Sequence, residues 1–311
     1  MRKFLCFALA MMTALSFSAC DKGSDVKNES ETESHSSEVS VEDKEEIMKT
    51  PTATIRTLDY TNTGRMGDRD GPAFAVYSKI GYSGASVKMN IADMEIQNVL
   101  SDGRFINGYA FLGVDVHDEN GEWINCVDAG LCWSGVDGGW HVFYNMFEPL
   151  NSDTPTWYES PRILPKDDIY TMTLELSSDN HCVLNVVGEK GARDRVRLEV
   201  KGAKKDGHNT AFLYNVALDY PPNTKVDRNG NPSEDWVEIT LANTDKNMYL
   251  KSFRSYDLTL FKGEEEFAWT NDRNSAVSIW PDKAIKGFDY SPTEVILYDG
   301  TEYYINLDMN R

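Results

Sequence analysis

Apolar and polar residues alternate with a period of two along much of this 311-residue chain, and turn residues separate the alternating runs. Residues 86–91 alternate. So do residues 170–176, and after the turn Ser178-Asp179-Asn180 residues 182–187 follow. Further strand signals are residues 122–133, 195–201, 211–218, 236–241 and 255–261, and a closing hairpin over 294–307 around Asp299-Gly300. No segment sustains a capped apolar stripe of helical period. Short antiparallel strands at this spacing predict an all-β fold, an antiparallel β-sandwich or jelly roll. Without an internal repeat or a second boundary, residues 51–311 read as one domain. Its length is enough to bury about three quarters of the unfolded chain's surface.

The first fifty residues have a different composition. Arg2 and Lys3 precede an almost wholly apolar run from Phe4 to Phe17, and Phe17-Ser18-Ala19-Cys20 supplies the small residues a signal peptidase needs. The apolar run is shorter than the ~18–20 residues of a spanning helix. A cysteine directly after those small residues resembles the lipobox of bacterial lipoproteins, with Phe17 in place of the usual Leu. The resemblance implies a signal peptide over 1–19, a diacylglycerol on the Cys20 sulfur, and tethering to an outward-facing membrane leaflet. Residues 21–50 hold ten acidic and four basic side chains and few large apolar ones. Such a segment cannot bury enough surface to offset its ordering entropy, so residues 20–50 are expected to be a lipidated cysteine and a disordered acidic tether. Its reach would be about 30 Å.

Charge narrows the partners. The net charge is −19, and loss of Arg2 and Lys3 with the leader takes it to −21. A chain this acidic will not hold nucleic acid by phosphate neutralisation, and it has no polybasic patch for anionic lipid heads. The lipid on Cys20 is then the expected membrane contact, at the extracytoplasmic face of the cell membrane. Cys126, Cys132 and Cys182 remain in the folded part. On one strand Cys126 and Cys132 would share a face about 20 Å apart, too far for a disulfide. Either the strand breaks at Gly130 or any bridge uses Cys182.

Common catalytic signatures are absent: there is no His-Glu-x-x-His, no Gly-x-Ser-x-Gly and no phosphate-cradling glycine loop. His35, His117, His141, His181 and His208 are scattered without metal-ligand spacing. No metal and no cofactor is expected. Asp227-Arg228-Asn229-Gly230-Asn231 with Glu238 echoes a calcium loop, but Pro232 replaces its essential glycine, and an Asn-Gly turn is the simpler reading.

Residues 109–176 carry the chemistry: Phe111-Leu112-Gly113-Val114-Asp115, then Cys126-Val127-Asp128-Ala129-Gly130, then Trp140 to Pro149, then Ile163-Leu164-Pro165-Lys166-Asp167-Asp168, with Glu234-Asp235-Trp236 later. In order and rough spacing these segments resemble the glutamic peptidase (eqolisin) family, which implies a concanavalin-like jelly roll. Asp128 stands where the family has its catalytic Gln, and Asp235 where it has its catalytic Glu. A Gln amide donates to a developing oxyanion; a carboxylate does so only when protonated. Two close carboxyls could instead share a proton and activate water. The candidate catalytic pair is therefore Asp128 and Asp235, expected to share one cleft.

Aromatic residues offer the competing function. Trp140, Tyr144, Trp157 and Tyr158 are the candidate ligand-binding residues. Trp157 and Tyr158 sit among Asn151 to Pro155, as in an exposed loop, whereas Trp123 and Trp133 share parity with Ala129 and Leu131, as on a buried face. The leading expectation is a lipid-anchored binding module for a glycan or peptide at the cell envelope. The alternatives are an acid peptidase or related hydrolase, and a structural or scaffold lipoprotein.

Overall fold

The alternating runs form strands of two antiparallel sheets packed face to face. The structure is a computed structural model and describes residues 71–99, 103, 105–134, 136–218, 247–280, 292–298 and 302–309. The expected lipidation site Cys20, the tether, Asp235, the strand at 236–241, the turn Asp299-Gly300 and the loop at 227–231 lie outside these residues.

Seven strands build one sheet, in the order β14 (Asn274–Trp280), β1 (Ala73–Ser78), β11 (Thr210–Leu218), β4 (Gly108–His117), β5 (Trp123–Ser134), β6 (Gly139–Met146) and β7 (Trp157–Glu159). The second sheet runs β10 (Arg193–Glu199), β9 (His181–Gly188), β8 (Ile169–Ser178), β2 (Gly84–Asn90), β12 (Tyr249–Lys262), β16 (Glu302–Asp308) and β15 (Thr293–Tyr298). Short β3 (Glu95–Gln97) and β13 (Glu265–Ala268) add to β12. Among the described residues the only helical piece is a 3-10 turn at Asn271–Arg273. This is an all-β antiparallel sandwich.

Period two decides what meets between the sheets. Val87 and Met89, Met172 and Leu174, Leu184 and Val186, and Leu260 and Ile305 come from the second sheet. Leu112, Val114, Ala129, Leu131, Val142 and Val216 come from the first. Phe74 and Tyr303 join the two layers, ring centroids 4.9 Å apart. The β8–β9 turn holds Asn180 at φ +63°, a conformation Asn tolerates better than most residues.

β5 runs unbroken through Gly130. A side chain there would meet the Phe111 Cα at 2.6 Å, so glycine is what lets β4 and β5 approach. Cys126 and Cys132 lie on this strand, and Cys182 faces the inter-sheet core from β9. Cys132 and Cys182 are buried thiols, so none of the three cysteines bridges another. Burial pushes the Cys182 thiol far above its ordinary pKa.

Candidate functional site

The first sheet has a second face, turned away from its partner sheet, and the candidate chemistry collects there. Residues one step out of phase with the core project onto it: Tyr77, Tyr109, Phe111, Cys132, Phe143 and Leu213, with half-buried Trp157 and Trp280 packed alongside. Strand register lays out one row across this face. It runs Ala276, Tyr77, Leu213, Gly113, Asp128, Asn145, Trp157. The adjacent row runs Ser278, Ala75, Asn215, Phe111, Gly130, Phe143, Glu159.

Asp128 sits in the first row between Gly113 and Asn145 and is only 6% exposed. Gly113 beside it leaves room for the carboxyl group: a Cβ at that position would lie 3.1 Å from Asp128 Oδ1 and 3.3 Å from Leu213 Cβ. Burial, and secondarily the charge of Asp115, pushes the Asp128 pKa up to about 8. Asp128 therefore keeps its proton at neutral pH and can donate a hydrogen bond, which an ionised carboxylate cannot. Asp115 projects from β4 onto the same face and accepts a hydrogen bond from Trp123 Nε1 at 3.1 Å.

Asn215 stands in the second row between Ala75 and Phe111, fully buried, with neither amide atom hydrogen-bonded. Such a group costs about 1–3 kcal/mol unless something supplies its partners. At the far end His141, register partner of Cys132, is 2% exposed. Its Nδ1 donates to the Ser160 carbonyl at 2.7 Å, and its Nε2 lies 3.3 Å from an Asp137 carboxylate oxygen. Glu159 is nearby, raised above the ordinary carboxylate range by burial while His141 opposes the shift.

The structure divides the expected aromatic binders. Trp157 belongs to the outer face, its ring 5.5 Å from that of Phe143. Trp140 and Tyr144 do not. Both point between the sheets, where Trp140 is fully enclosed and packs edge-on against Trp133. This corrects the expectation that they contact a ligand: they share strand parity with Val142 and Met146, and that parity is the core's. Tyr158 stacks on Tyr144 at 5.4 Å from the edge strand, 38% exposed, on the side opposite Trp157. Trp123 is corrected in the other sense. A bulge pairs His117 with Trp123 but Val116 with Asn125, which moves the indole from the expected core parity onto the outer face beside Asp115. The bulge also takes Ile124 out of phase with Asp128.

Asp115, Asn145 and Asn215 were missed in the sequence. The signal was available for Asp115 and Asn215, each a polar residue amid an apolar strand. Among the described residues, no group of three or more His, Cys, Asp or Glu side chains could hold a metal ion.

No protein-family model and no curated protein matches the chain. The fold is similar to solved structures at low identity. Scytalido-glutamic peptidase, solved with a peptide-based transition state analog, matches at 11% identity and a TM-score of 0.47, covering 76% of this chain and 97% of that one. Aspergilloglutamic peptidase from Aspergillus niger matches at 11% identity and 0.36, over 66% and 99%. A prokaryotic β-1,3-1,4-glucanase (lichenase) derived from a mouse hindgut metagenome matches at 13% identity and 0.30, over 61% and 79%. Glutamic peptidases, which the strand motifs resemble, are thus among the structures this fold is similar to.

Proposed function

We propose that this chain is an extracytoplasmic binding module, held to the membrane by a lipid on Cys20, that takes a glycan or peptide across the outer face of its seven-stranded sheet. The row of Asp128, Asn145 and Trp157 carries the reading. It sets a neutral acid that can donate, an amide that can donate and accept, and an aromatic wall side by side at the half-buried end of the face. Buried rings with a few convergent polar groups suit a polar ligand that carries no positive charge. The observation favouring a hydrolase is the same Asp128, since a carboxylic acid protonated near pH 7 is suited to general acid catalysis. In that reading Asp235 supplies the second carboxyl group.

Titration of neutral oligosaccharides and unstructured peptides into the full chain tests the module. Trp157→Ala should weaken binding at least tenfold, with the fold intact by circular dichroism. Unchanged affinity for every ligand would remove the outer face as the site. Any hydrolysis of the same ligands should decline above about pH 8, as Asp128 loses its proton, and vanish in Asp128→Asn. Binding without turnover leaves the module reading standing alone.

A further inference from the structure

Away from that row, three cations from three segments line one cavity of about 360 Å³: Lys79 from the β1–β2 connection, Lys262 from the end of β12, and Arg273 from the 3-10 turn. In a chain of net charge −19 this is an unusual concentration. The single acid lining it, Asp272, is already engaged. It accepts hydrogen bonds from the Thr270 hydroxyl and from Arg273 Nη1 at 3.0 Å, which hold it below the ordinary carboxylate range. Glu265 stands opposite Lys262 in the β12–β13 hairpin but does not line the cavity.

The cations differ in freedom. The Arg273 guanidinium lies 4.9 Å from the Phe267 ring centroid, which fixes its plane, and its Nη1 is occupied by Asp272. Lys79 Nζ donates to the Asp272 carbonyl at 2.6 Å, leaving two N–H groups for another acceptor. Among the described residues the Lys262 ammonium group has no ion-pair or hydrogen-bond partner. Two rings complete the wall: Tyr82 and Phe267, centroids 6.4 Å apart and steeply inclined at 69°. A bare inorganic anion would use the cations and leave the rings idle. A ring bearing a carboxylate would use both, since a planar guanidinium suits a planar carboxylate and an aromatic face suits the apolar side of a sugar.

We propose that this cavity binds an acidic sugar, a uronate unit of an anionic polysaccharide. Its carboxylate meets Lys262, Lys79 and the open edge of Arg273, and its ring lies against Tyr82. This is a second ligand site, independent of the Asp128 row.

The test is calorimetric titration of the full chain with trigalacturonate, with a neutral galactose trisaccharide and inorganic phosphate as comparisons. Trigalacturonate should bind, and its affinity should fall as salt rises. Lys262→Glu and Lys79→Gln should each weaken it at least tenfold; both side chains are exposed, so the fold should be retained. Trp157→Ala should leave it unchanged, which separates this site from the outer face. Absence of binding, neutral-trisaccharide binding that Lys262→Glu weakens as strongly, displacement by an equal concentration of phosphate, or indifference to both lysine substitutions would each overturn the proposal.

Discussion

The two faces of the seven-stranded sheet share the same backbones and are both buried, yet they are built to different rules. Toward the partner sheet, Leu112, Val114, Ala129, Leu131, Val142 and Phe212 form an apolar layer. No described residue of β1, β4, β5, β6 or β11 sends a charged side chain there. One residue out of phase, the outer face carries Asp115, Asp128, His141 and Asn215 among its rings, all less than a tenth exposed. Burying such groups lowers stability unless each finds a partner. The inner face maximises cohesion, whereas the outer face holds polar groups in readiness. Burial alone does not tell core from site; the tolerance of polarity under burial does.

The largest effect that would break this contrast is a charge on the inner face. Leu112→Asp should leave no cooperatively folded protein, a loss of about 4 kcal/mol or more, seen as absence of a thermal transition. Next comes the pH dependence of the outer face. The Asp128 pKa is raised from 3.8 to about 8, so between those values the folded state binds a proton that the unfolded state has released. That contribution to stability is full below about pH 4, declines as pH rises, and is lost above about pH 8. Asp128→Asn should flatten this slope. Urea unfolding should find the variant more stable than the parent by a few kcal/mol at pH 9 and similar to it at pH 4, and parallel curves would refute the assignment. A smaller effect of opposite sign to the core lesion is expected at Asn215. Replacing its unpartnered amide in Asn215→Leu should raise stability by about 1 kcal/mol, measured by chemical denaturation. The smallest change is Trp157→Ala on the edge strand, about 1 kcal/mol or less in stability, while ligand affinity falls tenfold.

Sequence alternation located the strands well where one face is apolar and the other is wet. Residues 170–176 and 182–187 fall within β8 and β9; β11, expected at 211–218, is buried on both faces. It told less about which face a residue takes in β6, where Gly139 to Tyr144 are all buried and both parities are apolar enough to serve as core. Sequence alone therefore does not separate a binding from a core role for Trp140 and Tyr144. Nor does alternation survive a bulge, and a single extra residue next to His117 moved Trp123 to the other side of the sheet. Asp128 was visible because it stands alone in an apolar strand. Its raised pKa was only partly visible: the burial follows from its strand, but the charge of Asp115 acts across a register that sequence does not print.

The order of the strands also dictates when the molecule can become whole. β1 lies between β11 and β14, and β2 between β8 and β12, so the first strands among the described residues are interior strands whose neighbours come late in the chain. Closing such long loops before any pairing is gained is slow. A chain stopped anywhere before Thr210 would carry β1 with both of its backbone edges open, a template for pairing with other chains. Shortening this protein from its carboxyl end therefore strips the neighbours from β1, a strand made long before them.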